Sequence, residues 1–159
     1  MSQEDEKPEL RIAYSPLFSL DILLDKVELI ASVGHVTWLF AFRCAVRHPK
    51  GQFTYDVSGL YFELEAFERF HKQLGAIAKG LAQSAELENI DNSVSFELYL
   101  GGRHLKSKIQ IRENQIEDEP TILSARFAVD YDLFVNKLHE DLKVFVACLR
   151  RVSPKNVGN

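Results

Sequence analysis

The sequence predicts an α+β fold, an antiparallel β-sheet system with two amphipathic helices, built as strands then helix, twice over. Three observations lead there. Apolar residues alternate at period two through Trp38 to Val46, Phe53 to Val57, Val94 to Leu100, Leu105 to Ile111 and Leu123 to Tyr131. The period lengthens to three and four residues after Leu64 and again after Phe134. Strands are grouped ahead of each helix rather than alternating with helices one by one, which favours antiparallel pairing over a parallel sheet.

The elements follow in order. Residues 1–9 read as a flexible tail closed by Pro8, 10–152 as a single domain, and 153–159 as a second tail. From Leu10 to Val33 the strand signal is untidy: Pro16 interrupts it, and Phe18, Leu20 and Ile22 then share a face. Trp38, Phe40, Phe42, Cys44 and Val46 form an inward face, opposite a more polar one that carries Arg43 and Arg47. His48 to Gly51 supply a turn with Pro and Gly, and Phe53, Tyr55 and Val57 return from it. Leu64, Phe67, Phe70, Leu74 and Ile77 make a helical stripe, with Glu63, Glu65 and Glu68 near its positive end and Gly75 or Gly80 as its stop.

From there to Ser93 the chain reads as a connector bearing Glu86, Glu88 and Asp91. Val94 to Leu100 and Leu105 to Ile111 flank a Gly101-Gly102 hairpin turn, with Lys106, Lys108, Gln110 and Arg112 on the polar face of the second strand. An acidic loop spans Glu113 to Pro120. Leu123, Ala125, Phe127, Val129 and Tyr131 then form another inward face. Phe134, Leu138, Leu142, Phe145 and Leu149 mark the last helix, with Asp132 as N-cap and Arg150-Arg151 at its negative end.

Composition narrows the function classes. A 159-residue chain with 46% hydrophobic and 26% charged residues buries enough surface to fold without staples. The net charge of −4 disfavours a general nucleic-acid binder, whose domain is usually strongly basic. Cys44 and Cys148 are too far apart for a ligand motif and sit in apolar stretches, as inert thiols do. The acidic start has neither the basic region nor the apolar run of a secretory signal, and no stretch approaches the about 20 apolar residues of a membrane span, so a cytoplasmic location is expected.

No chemistry-bearing motif emerges. There is no GxGxxG, P-loop, GxSxG or HExxH, and the five histidines occur at no metal-ligand spacing. The expectation is therefore no catalytic residue, no metal and no cofactor. An enzyme would instead need a deep pocket where His71 or His104 converges with a carboxylate such as Asp130. Charge is the remaining signal. Arg43, Arg47, Lys106, Lys108 and Arg112 are expected to line one sheet surface if their strands are neighbours, and the acidic residues Glu86, Glu88 and Asp91 to sit on a loop. Both are candidate partner-binding surfaces.

Dispersed segments carry a resemblance: Trp38 in its hydrophobic strand, Phe62 to Phe67 opening the first helix, Ala85 to Asn89 before the Val94 strand, and Phe127 to Phe134 opening the second helix. Together, over about residues 15–150, they resemble small bacterial immunity and immunity-like proteins, including the WapI-type family. The resemblance implies a stoichiometric, non-catalytic protein binder that occludes a cognate toxin domain, while charge and hydropathy separately point to no nucleic acid and no membrane as partners. The alternative is a structural or assembly subunit, a homodimer joined through an edge strand left by the N-terminal segment.

Overall fold

A computed structural model describes residues 7–30, 32, 34–113 and 121–153. Residues 1–6, 114–120 and 154–159, which hold most of the expected tails and acidic loop, lie outside the described residues. The fold is α+β, with two antiparallel four-stranded sheets and two helices. Strands β1 (Glu9–Ser15), β2 (Phe18–Ile30), β3 (His35–His48) and β4 (Gly51–Phe62) form the first sheet in sequence order, and helix α1 (Leu64–Ala78) follows. Strands β5 (Ser84–Glu88), β6 (Val94–Gly101), β7 (His104–Glu113) and β8 (Thr121–Val129) form the second. A π-helical segment (Asp132–Lys137) then leads into helix α2 (Leu138–Val152).

In the first sheet the inward rows run across the strands. Leu10, Ile22, Phe42 and Val57 make one, and Ile12, Leu20, Cys44 and Tyr55 make the next. Three register shifts interrupt the pairing, one between each pair of neighbouring strands. In β4 the pairing jumps from Val57 to Leu60, with Gly59 at φ +77°. One extra residue turns Leu60 and Phe62 inward and puts Tyr61 outside, where strict alternation from Phe53 would have put Tyr61 in the core. Burial pushes the Cys44 thiol up to about 12, so it stays protonated.

The second sheet corrects the connector assigned to the segment before Ser93: Ser84–Glu88 is a strand, paired to β6 from Ser84–Tyr99 to Glu88–Ser95. Five residues with two glutamates give little strand signal alone; Ala85 and Leu87 earn the position by filling the core. At the other edge, β8 is less covered than its alternation implies. Leu123 is exposed, and Ala125, Phe127 and Val129 are only half-buried, because no further strand or helix lies beside them among the described residues. Phe53, also expected in the core, is likewise only partly covered near the end of its strand.

Helix α1 buries Phe67, Phe70, Leu74 and Ile77, the stripe the spacing predicts. Of the two candidate stops, Gly80 fills the role at φ +73°, whereas Gly75 lies within the helix. The N-cap of the last helical run is Asp130, not Asp132: the Asp130 carboxylate accepts the Leu133 N–H at 3.0 Å. Asp132 instead accepts the side-chain amide of Asn136 at 2.7 Å.

Each helix packs beside the first strand of the sheet it does not follow. α1 comes out of β4 and lies along β5, where Gln73 Oε1 accepts the Glu86 N–H at 2.9 Å. α2 comes after β8 and lies along β1, where the Tyr14 hydroxyl donates to Asp141. The β1 edge expected to stay open is therefore lined by a helix. Both sheets and both helices share one hydrophobic cluster. Phe18 of β2 stacks on Phe96 of β6 at 5.6 Å, and Phe40, Phe67 and Phe145 join β3, α1 and α2.

Candidate binding surface

The outer face of the second sheet gathers most of the charged candidates. Cross-strand pairing sets Glu86, Glu97, Lys108 and Arg126 in one row, acids on β5 and β6 and bases on β7 and β8. Lys106 stands next to Lys108 on this face, between Tyr99 and Ala128, and Arg112 lies opposite Ile122. Lys106, Arg112 and Arg126 are exposed, while Lys108 in the middle of the sheet is partly covered. Their alternation partners Leu105, Ile109 and Ile111 are buried, which forces the cations outward.

Glu86 and Glu88 belong to the same face, two residues apart on a strand rather than on a loop. The Glu86 carboxyl is pushed up to about 7, first by a hydrogen bond with Glu88, then by partial desolvation and by repulsion from Glu88 and Glu97, with Lys108 opposing. Beside these carboxyls a cleft of about 290 Å³ runs between α1 and the end of β5, lined by Glu63, Arg69, Gln73, Glu86, Glu88 and Asn89.

Asp91 has a structural use. Its carboxylate accepts the Ser93 N–H at 3.0 Å and the Asn89 amide at 2.8 Å, and bonding to Ser93 and Asn89 holds it below the ordinary carboxylate range. Buried Asn89 accepts the Val94 N–H at 2.9 Å, and Asn92 takes φ +57°, so the β5–β6 turn is closed by its own side chains.

The five expected cations do not share a surface. Arg43 and Arg47 are on β3, whose neighbours are β2 and β4, and α1 carries the chain into the other sheet before β7 is reached. Arg43 is engaged by Asp56, at 3.1 Å from Nε and 3.0 Å from Nη2, within a row Arg11, Asp21, Arg43, Asp56 of alternating sign. Arg47 reaches the Pro16 carbonyl at 3.5 Å.

Glu97 and Arg126 complete the row and were not singled out from sequence. Glu97 depended on the turn: the two turn residues are Gly102-Arg103, not Gly101-Gly102 as expected, so Gly101 pairs with His104 and Glu97 stands opposite Lys108 rather than Lys106. Arg126 follows a longer connection whose register no turn rule sets.

Of the residues named for an enzyme, His104 is exposed at the start of β7. His71 faces His139, and Asp130 caps a helix. No helix among the described residues is long and apolar enough to cross a membrane. No family model matches the chain, and neither the curated proteins nor the solved structures gave a match.

Proposed function

We propose that the chain is a non-catalytic protein-binding module of the immunity type, which acts in the cytoplasm by binding and occluding a cognate bacterial toxin domain. We read its two runs of four strands and a helix as one plan used twice, a rigid scaffold that presents the outer face of the second sheet. The observation that supports this reading is the row Glu86, Glu97, Lys108, Arg126, which sorts charge from acidic to basic across one face. Such sorting fixes the orientation of a partner and speeds encounter.

The test is co-expression with the toxin-like protein encoded beside its gene. The expected result is a one-to-one complex by light scattering and protected growth. Reversing Lys106 and Lys108 to Glu should weaken the complex while leaving the circular dichroism spectrum unchanged. No complex and no protection with the unaltered chain would overturn the reading.

A further inference from the structure

Three of the four sheet edges are protected, two by a helix and one by a bulge and a loop contact. β1 is lined by α2 and β5 by α1. β4 carries the Ser58-Gly59 bulge, and near its end the Tyr61 carbonyl accepts the Ile90 N–H at 2.9 Å. Bulges and covering elements are the usual means by which proteins prevent an edge from pairing with another chain.

β8 has none of these. Its pairing with β7 runs without a shift from Thr121–Glu113 to Val129–Leu105. It contains no Gly or Pro and one charged residue, Arg126. Among the described residues no other element lies along it. Alternate residues of such a strand turn their N–H and C=O groups away from the only neighbour. Its apolar side chains are unfinished as well: Ile122 is 47% and Leu123 44% exposed, and Phe127 is packed on Phe18 at 4.7 Å yet only half-buried.

We propose that β8 is an acceptor edge for an extended acidic segment of the partner protein, which adds as a fifth strand with apolar residues over Leu123 and Phe127 and acidic residues beside Arg126 and Lys106. The proposal rests on reading the chain as a protein-binding module and names the chemistry of its partner. Charge selects the occupant. The row across the sheet ends at this edge with Lys108 and Arg126, so the next position outward favours a carboxylate. A second acid two residues away lies opposite Ala128, within diagonal reach of Lys106. A second copy of the chain is the wrong occupant: its own β8 would bring another Arg126, backed by another Lys108, to the same face. Its acidic edge, β5, is occupied by α1.

The experiment uses the full chain and a fluorescent nine-residue peptide alternating Glu and Val, read by anisotropy. Controls are a Lys/Val peptide and a Glu/Val peptide N-methylated at alternate residues. The expected result is saturable binding of the Glu/Val peptide, its loss on methylation along the pairing edge, and slowed amide exchange in β8. Arg126→Glu, an exposed change, should weaken the Glu/Val peptide about tenfold and raise binding of the Lys/Val peptide. Equal binding of the methylated peptide, no binding of any peptide, or a dimer of the chain that dissociates on Ile122→Lys would each overturn the proposal. A toxin partner that binds undiminished to Arg126→Glu and Ile122→Lys would overturn this edge while leaving the module reading intact. Peptide binding without any toxin partner would do the reverse.

Discussion

His71 of α1 and His139 of α2 stack face to face, ring centroids 4.1 Å apart and planes 18° from parallel, at the contact between the two helices. The His71 Nε2 is buried with no hydrogen-bond partner among the described residues. Burial foremost, then His139, lowers its pKa below the ordinary 6.5; Lys143 and Arg150 act in the same sense and Glu140 against it.

The pH dependence follows with a definite sign. Between the lowered native value and 6.5 the unfolded chain binds more protons at this ring than the native protein does. This contribution to stability is complete above 6.5 and is lost as pH falls below it. Urea midpoints should therefore drop on mild acidification, and His71→Phe should reduce that drop. An equal drop in the variant would show that the acid sensitivity lies elsewhere.

Gly75 sits one turn from His71, and a Cβ there would stand 3.3 Å from His139 Nε2. Alanine in a helix interior is worth about 1 kcal/mol over glycine. Gly75→Ala should realise less than that in the native chain, because the imidazole has to shift. In a His139→Ala background it should realise the full amount, and a double-mutant cycle by denaturant unfolding measures the difference.

Phe67 and Phe145 meet edge to face at 5.1 Å in the shared core. Truncating either to Ala should cost about 3–5 kcal/mol. Phe127→Ala should cost clearly less, since its strand is the open edge of the sheet. Equal losses in calorimetry or urea unfolding would contradict the unequal burial.

Ser107 points inward between Leu98 and Phe127, fully buried, and its hydroxyl has no partner among the described residues. An unpaired buried hydroxyl costs about 1–3 kcal/mol. Ser107→Ala should raise the melting temperature, and a lower one would mean that the hydroxyl is satisfied.

Glu86 titrates near 7 against an ordinary 4.5, so the native protein holds a proton there that the unfolded chain has released. That contribution is present below 4.5 and is lost as pH rises through about 7. Carboxyl NMR should place the Glu86 midpoint near neutrality, and Glu88→Gln should move it down. An unmoved midpoint would remove Glu88 as the cause.

The class and both helix phases were legible because periodicity reports burial directly: Phe67, Phe70, Leu74 and Ile77 in α1, and Leu138, Leu142, Phe145 and Leu149 in α2, are all buried. What sequence pattern does not carry is pairing across long connections. Alternation put Arg43 and Lys108 each on an outer face, but nothing local says that the faces belong to different sheets. Short elements failed for another reason. β5 offers two inward residues, too few for a period, and between Asp130 and Asp132 the cap is decided by which carboxylate meets a backbone N–H. The charge row is intermediate: its Glu97–Lys108 half hangs on which two residues make a tight turn, whereas its β5 and β8 ends need the assembled sheet.

The exchange of helices between the two sheets has a consequence for the order of events in synthesis. β1 leaves the ribosome long before α2, yet α2 is the element that lines its edge and brings Asp141 to Tyr14. β5, by contrast, meets an α1 already made. The first sheet must therefore wait with one side uncovered until almost all of the described chain is out, and its completion is a long-range event with the loop-closure cost that entails. A cut in the α1–β5 connection should leave two pieces that stay together, because each half holds a helix that the other half needs.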